Sequence, residues 1–141
     1  MTRGLPDTLL VFCDGGSRGN PGPAAIGAVV VDPAVDPPAT LAEVSETIGI
    51  ATNNVAEYRA VIAGLEAASG LTSGAVEVRA DSQLVVRQLE GRYRVKHEGL
   101  RPFYEQARAL FCRFDSVTLR HVPRAENTAA DALVNKALDG L

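Results

Sequence analysis

Four carboxylates in this chain have the type and spacing to do metal-ion chemistry. Asp14 ends the apolar run TLLVFCD, and Asp81 ends GAVEVRAD. Glu57 lies in the first turn of a helical segment that opens at NN, and Asp131 lies early in the last helical segment. Each has an ordinary explanation. Asp14 precedes Gly15, as in a turn. Asn54 and Glu57 have the spacing of a capping box. Asp81 stands before a helix and suits an N-cap, and an acid such as Asp131 is favoured near a helix N-terminus. Taken together they suggest more. If the strands ending at Asp14 and Asp81 are parallel neighbours, both carboxylates converge at the end of the sheet where open α/β proteins bind ligands. Clustered carboxylates suit hard divalent cations, Mg²⁺ above all; without a cation they repel and raise one another's pKa. Two such ions about 3.5–4 Å apart can activate water and stabilise the leaving oxygen of a phosphodiester. No GxSxG or Walker A sequence offers a different chemistry.

The elements that must position these acids follow from periodicity and turn residues. Residues 8–14 are apolar except at the ends, which predicts a strand buried on both faces in the middle of a sheet. Residues 24–32 (AAIGAVVVD) are rich in β-branched side chains and predict a second strand. The prolines of 33–38 make a turn. Residues 41–50 alternate imperfectly and predict a third strand towards an edge. Residues 53–69 carry Val55, Val61, Ile62 and Leu65 at helical spacing. A strand at 74–81, a short helix at 82–91 closed by glycine, and a helix at 100–114 with Pro102 near its start come next. A strand at 116–122 and a helix at 126–138 complete the chain. The order β-β-β-α-β-α-α-β-α is that of an α/β domain, a mixed sheet with helices packed on it.

With 141 residues, 46% of them hydrophobic, the chain has the size and apolar content of one domain, without repeats or a long linker. No apolar run approaches the roughly 20 residues that span a bilayer, and the N-terminus lacks a leader-peptide core. The expectation is a cytoplasmic protein with no membrane association. Cys13 and Cys112 lie in apolar surroundings and read as two buried small hydrophobes rather than a disulfide. A net charge of -3 does not announce a nucleic-acid binder. Twelve of the fourteen basic residues are arginine, however, and residues 87–101 gather Arg87, Arg92, Arg94, Lys96 and Arg101 against Glu90 and Glu98. That stretch reads either as a solvated surface or as a phosphate-contacting loop.

Four segments, DGGSRGNPGPAAIGAVV, TNNVAEYRAVIAGL, ADSQLVVRQL and HVPRAENTAADALVNKAL, resemble the signature blocks of type 1 ribonuclease H. They occur in that family's order, and the resemblance spans residues 8–138. It implies the ribonuclease H-like fold: a five-stranded mixed sheet, a three-strand antiparallel meander plus two parallel strands, flanked by helices. It implies endonucleolytic hydrolysis of the RNA strand of RNA–DNA hybrids with Mg²⁺, or Mn²⁺ as a substitute. In that family's terms Asp14, Glu57, Asp81 and Asp131 are the metal-binding acids. One ion would sit on Asp14 and Asp131 and a second on Asp14, Glu57 and Asp81, leaving 5'-phosphate and 3'-hydroxyl ends. Asn20, Asn53, Asn54 and Gln83 match minor-groove contacts, where amides meet 2'-hydroxyls and base edges. Ser17 and Gly15 fall where the nucleic acid approaches the backbone; one of Asn53 and Asn54 can cap the helix while the other binds.

Two departures qualify the resemblance. Many members carry a basic, tryptophan-containing protrusion; this chain has no tryptophan, and residues 91–99 are too short for an extra helix. It is similar to the compact branch of the family, with Arg92, Arg94 and Lys96 as the phosphate contacts. The family also often has a mobile histidine before its last aspartate. His121 has suitable spacing but also reads as a structural residue on the Val117/Leu119 face; Arg124, in the loop itself, is the rival and the preferred choice. The expected partner is an RNA–DNA hybrid, with the protein a monomer needing no protein partner. Two alternatives stand beside this reading: a non-catalytic hybrid-binding module, and another nuclease of the same fold acting on DNA. Residues 1–141 read as a single domain that can also be a piece of a longer protein.

Overall fold

A computed structural model describes residues 8–141; residues 1–7, on which the leader-peptide reading partly rests, lie outside it. Three long strands come first: β1 (Thr8–Ser17), β2 (Gly22–Asp32) and β3 (Ala39–Ala51). Helix α1 (Asn53–Ser69) leads to β4 (Ala75–Ala80), and α2 (Gln83–Leu89) and α3 (Arg101–Phe111) follow. Strand β5 (Ser116–His121), a single 3₁₀ turn at Arg124–Glu126 and α4 (Thr128–Asp139) end the chain. The sheet order is β3-β2-β1-β4-β5, with β1 antiparallel to β2, β2 antiparallel to β3, and β1, β4 and β5 mutually parallel. This is the mixed sheet expected, with β1 central and β3 at an edge. No helix among the described residues is long and apolar enough to cross a membrane.

The pleat of β1 divides the molecule. Leu9, Val11 and Cys13 are completely buried, and they pack with Ile26, Ala28 and Val30 of β2 under α1, α2 and α3. Burying a large apolar side chain is worth about 1.5–3 kcal/mol, so Tyr58, Val61 and Leu65 anchor α1 firmly to this face. On the other face α4 places Val134 and Leu138 against Ala25. That helix is short and packs on β2, β3 and β1, so β1 is not fully buried on both faces as the sequence suggests: Leu10 and Phe12 are only partly buried. In place of a helix, the Arg79 guanidinium lies 5.4 Å from the Phe12 ring centroid and pairs with Glu77 at 2.6 Å. A second correction concerns Cys112, which is exposed beyond the end of α3 while Cys13 is buried.

Two glycines govern how closely the helices approach the end of β1. A Cβ on Gly15 would lie 2.2 Å from the backbone of Ala56 and 2.6 Å from the Glu57 nitrogen. A Cβ on Gly27, the β2 partner of Asp14, would lie 2.3 Å from the Ala130 carbonyl oxygen. Only glycine permits these approaches, so α1 and α4 both press onto the strand pair at the level of Asp14. Gly15→Ala and Gly27→Ala should each destabilise the protein by about 1–3 kcal/mol in urea denaturation. Gly70→Ala adds a Cβ that meets only the Ala67 carbonyl, at 3.7 Å, and should be neutral or stabilising by up to about 1 kcal/mol. Equal losses at all three positions would contradict the close-approach argument.

Candidate active site

The parallel pairing of β1 with β4 ends at Cys13 and Ala80. The next residues are Asp14 and Asp81, so the two strands deliver their carboxylates side by side. β1 itself runs on to Ser17 against β2, which makes Asp14 part of a paired strand rather than a turn. Glu57 joins them from the first turns of α1. The ordinary explanations for these acids fail on the capping geometry. The N-cap of α1 is Thr52, whose hydroxyl accepts from Val55 N–H at 3.2 Å, and that of α2 is Ser82, whose hydroxyl accepts from Val85 N–H at 3.3 Å. Neither Asn53 nor Asn54 caps α1, and Asp81 does not cap α2. Carboxylate oxygens of Asp14, Glu57 and Asp81 all lie within 4.8 Å of one another.

Asp131 stands at the same place from the opposite side, on the first turn of α4, beside Asp14. Arg124 reaches Asp131 at 3.5 Å, and the Asn135 amide approaches its other oxygen at 3.5 Å. The start of α4 is tied to β1 by Asn127, buried to 1% exposure, which donates to the Cys13 carbonyl at 2.8 Å. The four acids line one cleft of about 480 Å³, together with His121 and Arg124. His121 is thus not a buried residue on the Val117/Leu119 face. It shares their face of β5, but it is the last residue of the strand, and its imidazole is exposed on the cleft wall. Sequence reasoning missed Asn127, Asn135 and Gly27. Only Gly27 carried a signal, an isolated glycine in a strand run.

The amides expected at the minor groove form a connected edge beside this cleft. The Asn53 side-chain oxygen accepts from Ser17 N–H at 2.9 Å and from the Ser17 hydroxyl at 3.1 Å. The Asn20 side-chain oxygen accepts from Asn53 N–H at 3.1 Å. Among the described residues no acceptor is bonded to the side-chain NH₂ of Asn20 or Asn53, so both remain available to a ligand. Gly15 lines the acidic cleft and is buried, with α1 filling the space a side chain would take, so helix packing by itself requires glycine there. A second cavity of about 480 Å³ is lined by Asn20, Asn54, Arg94 and Lys96, with Thr52 and His97. Gln83 and Arg92 are exposed and line neither cavity; Arg92 instead lies 3.9 Å from Glu90.

The acids act on one another. Burial, then the Asp81 charge and the neighbouring Asp131 carboxyl, push the Asp14 carboxyl up to about 7. Burial, followed by the charges of Asp14 and Asp81, drives Glu57 well above the usual range, while the Gly15 N–H that hydrogen-bonds it pulls the other way. Among the described residues no basic side chain forms an ion pair with Asp14, Glu57 or Asp81. A hard, all-oxygen donor set with unneutralised charge fits a divalent cation. A carboxyl whose folded pKa is raised stabilises the fold fully below its ordinary pKa of 3.8 and loses that contribution as pH rises through about 7. In EDTA, Asp14→Asn should therefore melt above the wild type at pH 8 and lose the advantage at pH 4. Each kcal/mol of relieved repulsion is worth about 3–5 °C, and Mg²⁺ should raise the melting temperature of the wild type alone at pH 8. A variant less stable than the wild type at pH 8 would refute the repulsion.

The chain matches the family described as reverse transcriptase-like over residues 12–137. It is 51% identical over 131 residues to the bifunctional protein Rv2228c of Mycobacterium tuberculosis, covering 93% of this chain and 35% of that one. The solved N-terminal RNase H domain of that protein superimposes with a TM-score of 0.88, covering 94% of this chain and 99% of the solved one. Ribonuclease HI of Halobacterium salinarum is 50% identical over 128 residues, 91% of this chain and 63% of its own length. LC11-RNase H1, solved in complex with an RNA/DNA hybrid, is 41% identical with a TM-score of 0.85, covering 94% of this chain and 97% of that one. The chain thus spans about a third of the mycobacterial relative and under two thirds of the halobacterial one. The family match over residues 12–137 and the likeness to these relatives show that this chain belongs to the type 1 ribonuclease H family.

Proposed function

We propose that the chain hydrolyses the RNA strand of RNA–DNA hybrids in a reaction that depends on divalent cations. The observation that carries this reading is the meeting of Asp14, Glu57 and Asp81 within 4.8 Å in a cleft that also holds Asp131. It is supported by the amide edge beside the cleft and by the hybrid bound to the relative LC11-RNase H1.

Asp14, Glu57 and Asp81 would hold one Mg²⁺, and Asp14 and Asp131 a second, with Mn²⁺ as a substitute. When bound, these ions supply a lowered pKa for water and neutralisation of charge at the leaving oxygen. The rest falls to the protein. Asn20, Asn53 and Asn54 offer amides to the 2'-hydroxyls and base edges of a wide minor groove, and the 2'-hydroxyl distinguishes RNA from DNA. Arg94 and Lys96, and Arg92 further out, meet backbone phosphates. Water's oxygen bonds to phosphorus and the bond to the 3'-oxygen breaks. The downstream fragment keeps the 5'-phosphate, the water gives up a proton and the 3'-oxygen gains one. Arg124, the choice favoured from the sequence, pairs with Asp131 at 3.5 Å and is assigned to hold that acid, so His121 on the cleft wall is assigned to carry that proton between the cleft and solvent.

Cleavage of an end-labelled hybrid in Mg²⁺, with EDTA as control and single-stranded RNA, duplex RNA and duplex DNA alongside, tests the proposal. Metal-dependent cuts confined to the RNA strand of the hybrid are expected. Asp81→Asn should keep the fold and lower turnover on the order of 10³-fold, the equivalent of the several kcal/mol an ion supplies. His121→Ala should cost about 10²-fold in kcat. Tight binding of the hybrid without turnover would favour a binding module, and cleavage of duplex DNA would favour a DNA-directed nuclease of this fold.

A further inference from the structure

Residues 91–100, between α2 and α3, contain neither helix nor strand, yet the segment is firmly held. Val95 and Leu100 are buried. The Gln88 amide nitrogen donates to the Arg94 carbonyl at 3.3 Å, and the Arg101 guanidinium donates to the Val95 carbonyl at 3.1 Å. Gln88 is itself only 4% exposed, and its side-chain oxygen accepts from the Tyr58 hydroxyl at 2.5 Å. Tyr58 is completely buried and follows Glu57 in α1. A line of hydrogen bonds, buried at Tyr58 and Gln88 and partly buried where it reaches Arg94, therefore runs from the helix that carries Glu57 to the peptide group between Arg94 and Val95. A buried amide bonded at both ends fixes geometry, because loss of either partner strands a desolvated polar atom. The segment so fixed carries Arg94 and Lys96 to the cavity that they line with Asn20 and Asn54.

We infer that Tyr58 and Gln88 are positioning residues for substrate binding: their buried relay holds residues 91–100 in place so that Arg94 and Lys96 meet a nucleic-acid phosphate beside the Asn20–Asn54 edge. The inference rests on the hybrid-cleaving reading above. It explains how a segment with no helix of its own presents two cations without having to be ordered during binding.

The test uses Gln88→Met, which keeps length and removes both polar ends, and Tyr58→Phe, which removes the hydroxyl. Arg101→Ala, at an exposed residue, loosens the segment from its other side. Kinetics on the hybrid at several salt concentrations are combined with hydrogen exchange of the amides of residues 92–97. The expected result is a KM raised about tenfold with kcat within about twofold, the signature of lost binding that is uniform between ground and transition states. The slope of log affinity against log salt should fall by about 1–2, one for each cation withdrawn. Arg94→Ala should add little in the Gln88→Met background, and the segment's amides should exchange faster. Unchanged KM and salt slope in a folded variant, a loss confined to kcat, or full additivity with Arg94→Ala would overturn the inference. If Gln88→Met does not fold, Tyr58→Phe and Arg101→Ala carry the same expectations. A wild-type protein that neither binds nor cuts the hybrid would defeat the parent reading alone; the exchange data would still decide the relay, with protected amides in Gln88→Met overturning it.

Discussion

At the end of the β1–β4 parallel ladder the fold concentrates negative charge, and among the described residues no basic side chain pairs with Asp14, Glu57 or Asp81. Asp14 and Asp81 arrive there because parallel pairing stops one residue short of each, and α1 and α4 are pressed against the same point by the absence of side chains at Gly15 and Gly27. Like charges this close, partly removed from water, raise one another's pKa and oppose the compact state. The remainder of the structure supplies what that arrangement costs. β1 is central in the sheet, its inner residues are completely buried under three helices, and the caps on α1 and α2 come from Thr52 and Ser82, which leaves the acids free of structural duties.

Helix α1 acts as a common ruler for the two charged regions. Within its first two turns Asn53 ties to the end of β1, Asn54 faces the basic cavity, Glu57 joins the acids, and Tyr58 holds Gln88. Positions fixed on one helix keep their separations, so the acidic cleft and the basic cavity are held at a constant offset. Cations and carboxylates that met directly would neutralise each other and leave neither for a ligand. The structure keeps Arg94 and Lys96 out of ion pairs with the acid cluster among the described residues, and the Arg124 guanidinium pairs with Asp131 while its side chain stays 77% exposed.

Hydrogen bonds to backbone carbonyls do much of the positioning. Asn127 holds the start of α4 to the Cys13 carbonyl, next to Asp14, and Gln88 and Arg101 hold residues 94 and 95. Such bonds depend on where the partner carbonyl lies in space rather than on its residue type. For that reason a sequence reading finds the acids and the exposed amides but passes over Asn127 and Gln88, which look like ordinary polar positions in helical segments.

The sequence alone determined the order of elements, the centrality of β1, the edge position of β3 and the identity of the four acids. Hydrophobic periodicity and turn residues are local properties, and the signature blocks carry the acids within them. Tertiary structure decided the rest. It moved the α1 cap from the asparagines to Thr52, exposed Cys112 and His121, left Leu10 and Phe12 only partly buried, and gave Gly15 its purpose in the approach of α1. Each of these turns on which surfaces meet across long separations in the chain. A strand end reads the same whether it stops inside the core or passes beyond it into a cleft, and a glycine reads the same whether a ligand or a helix backbone fills the space beside it.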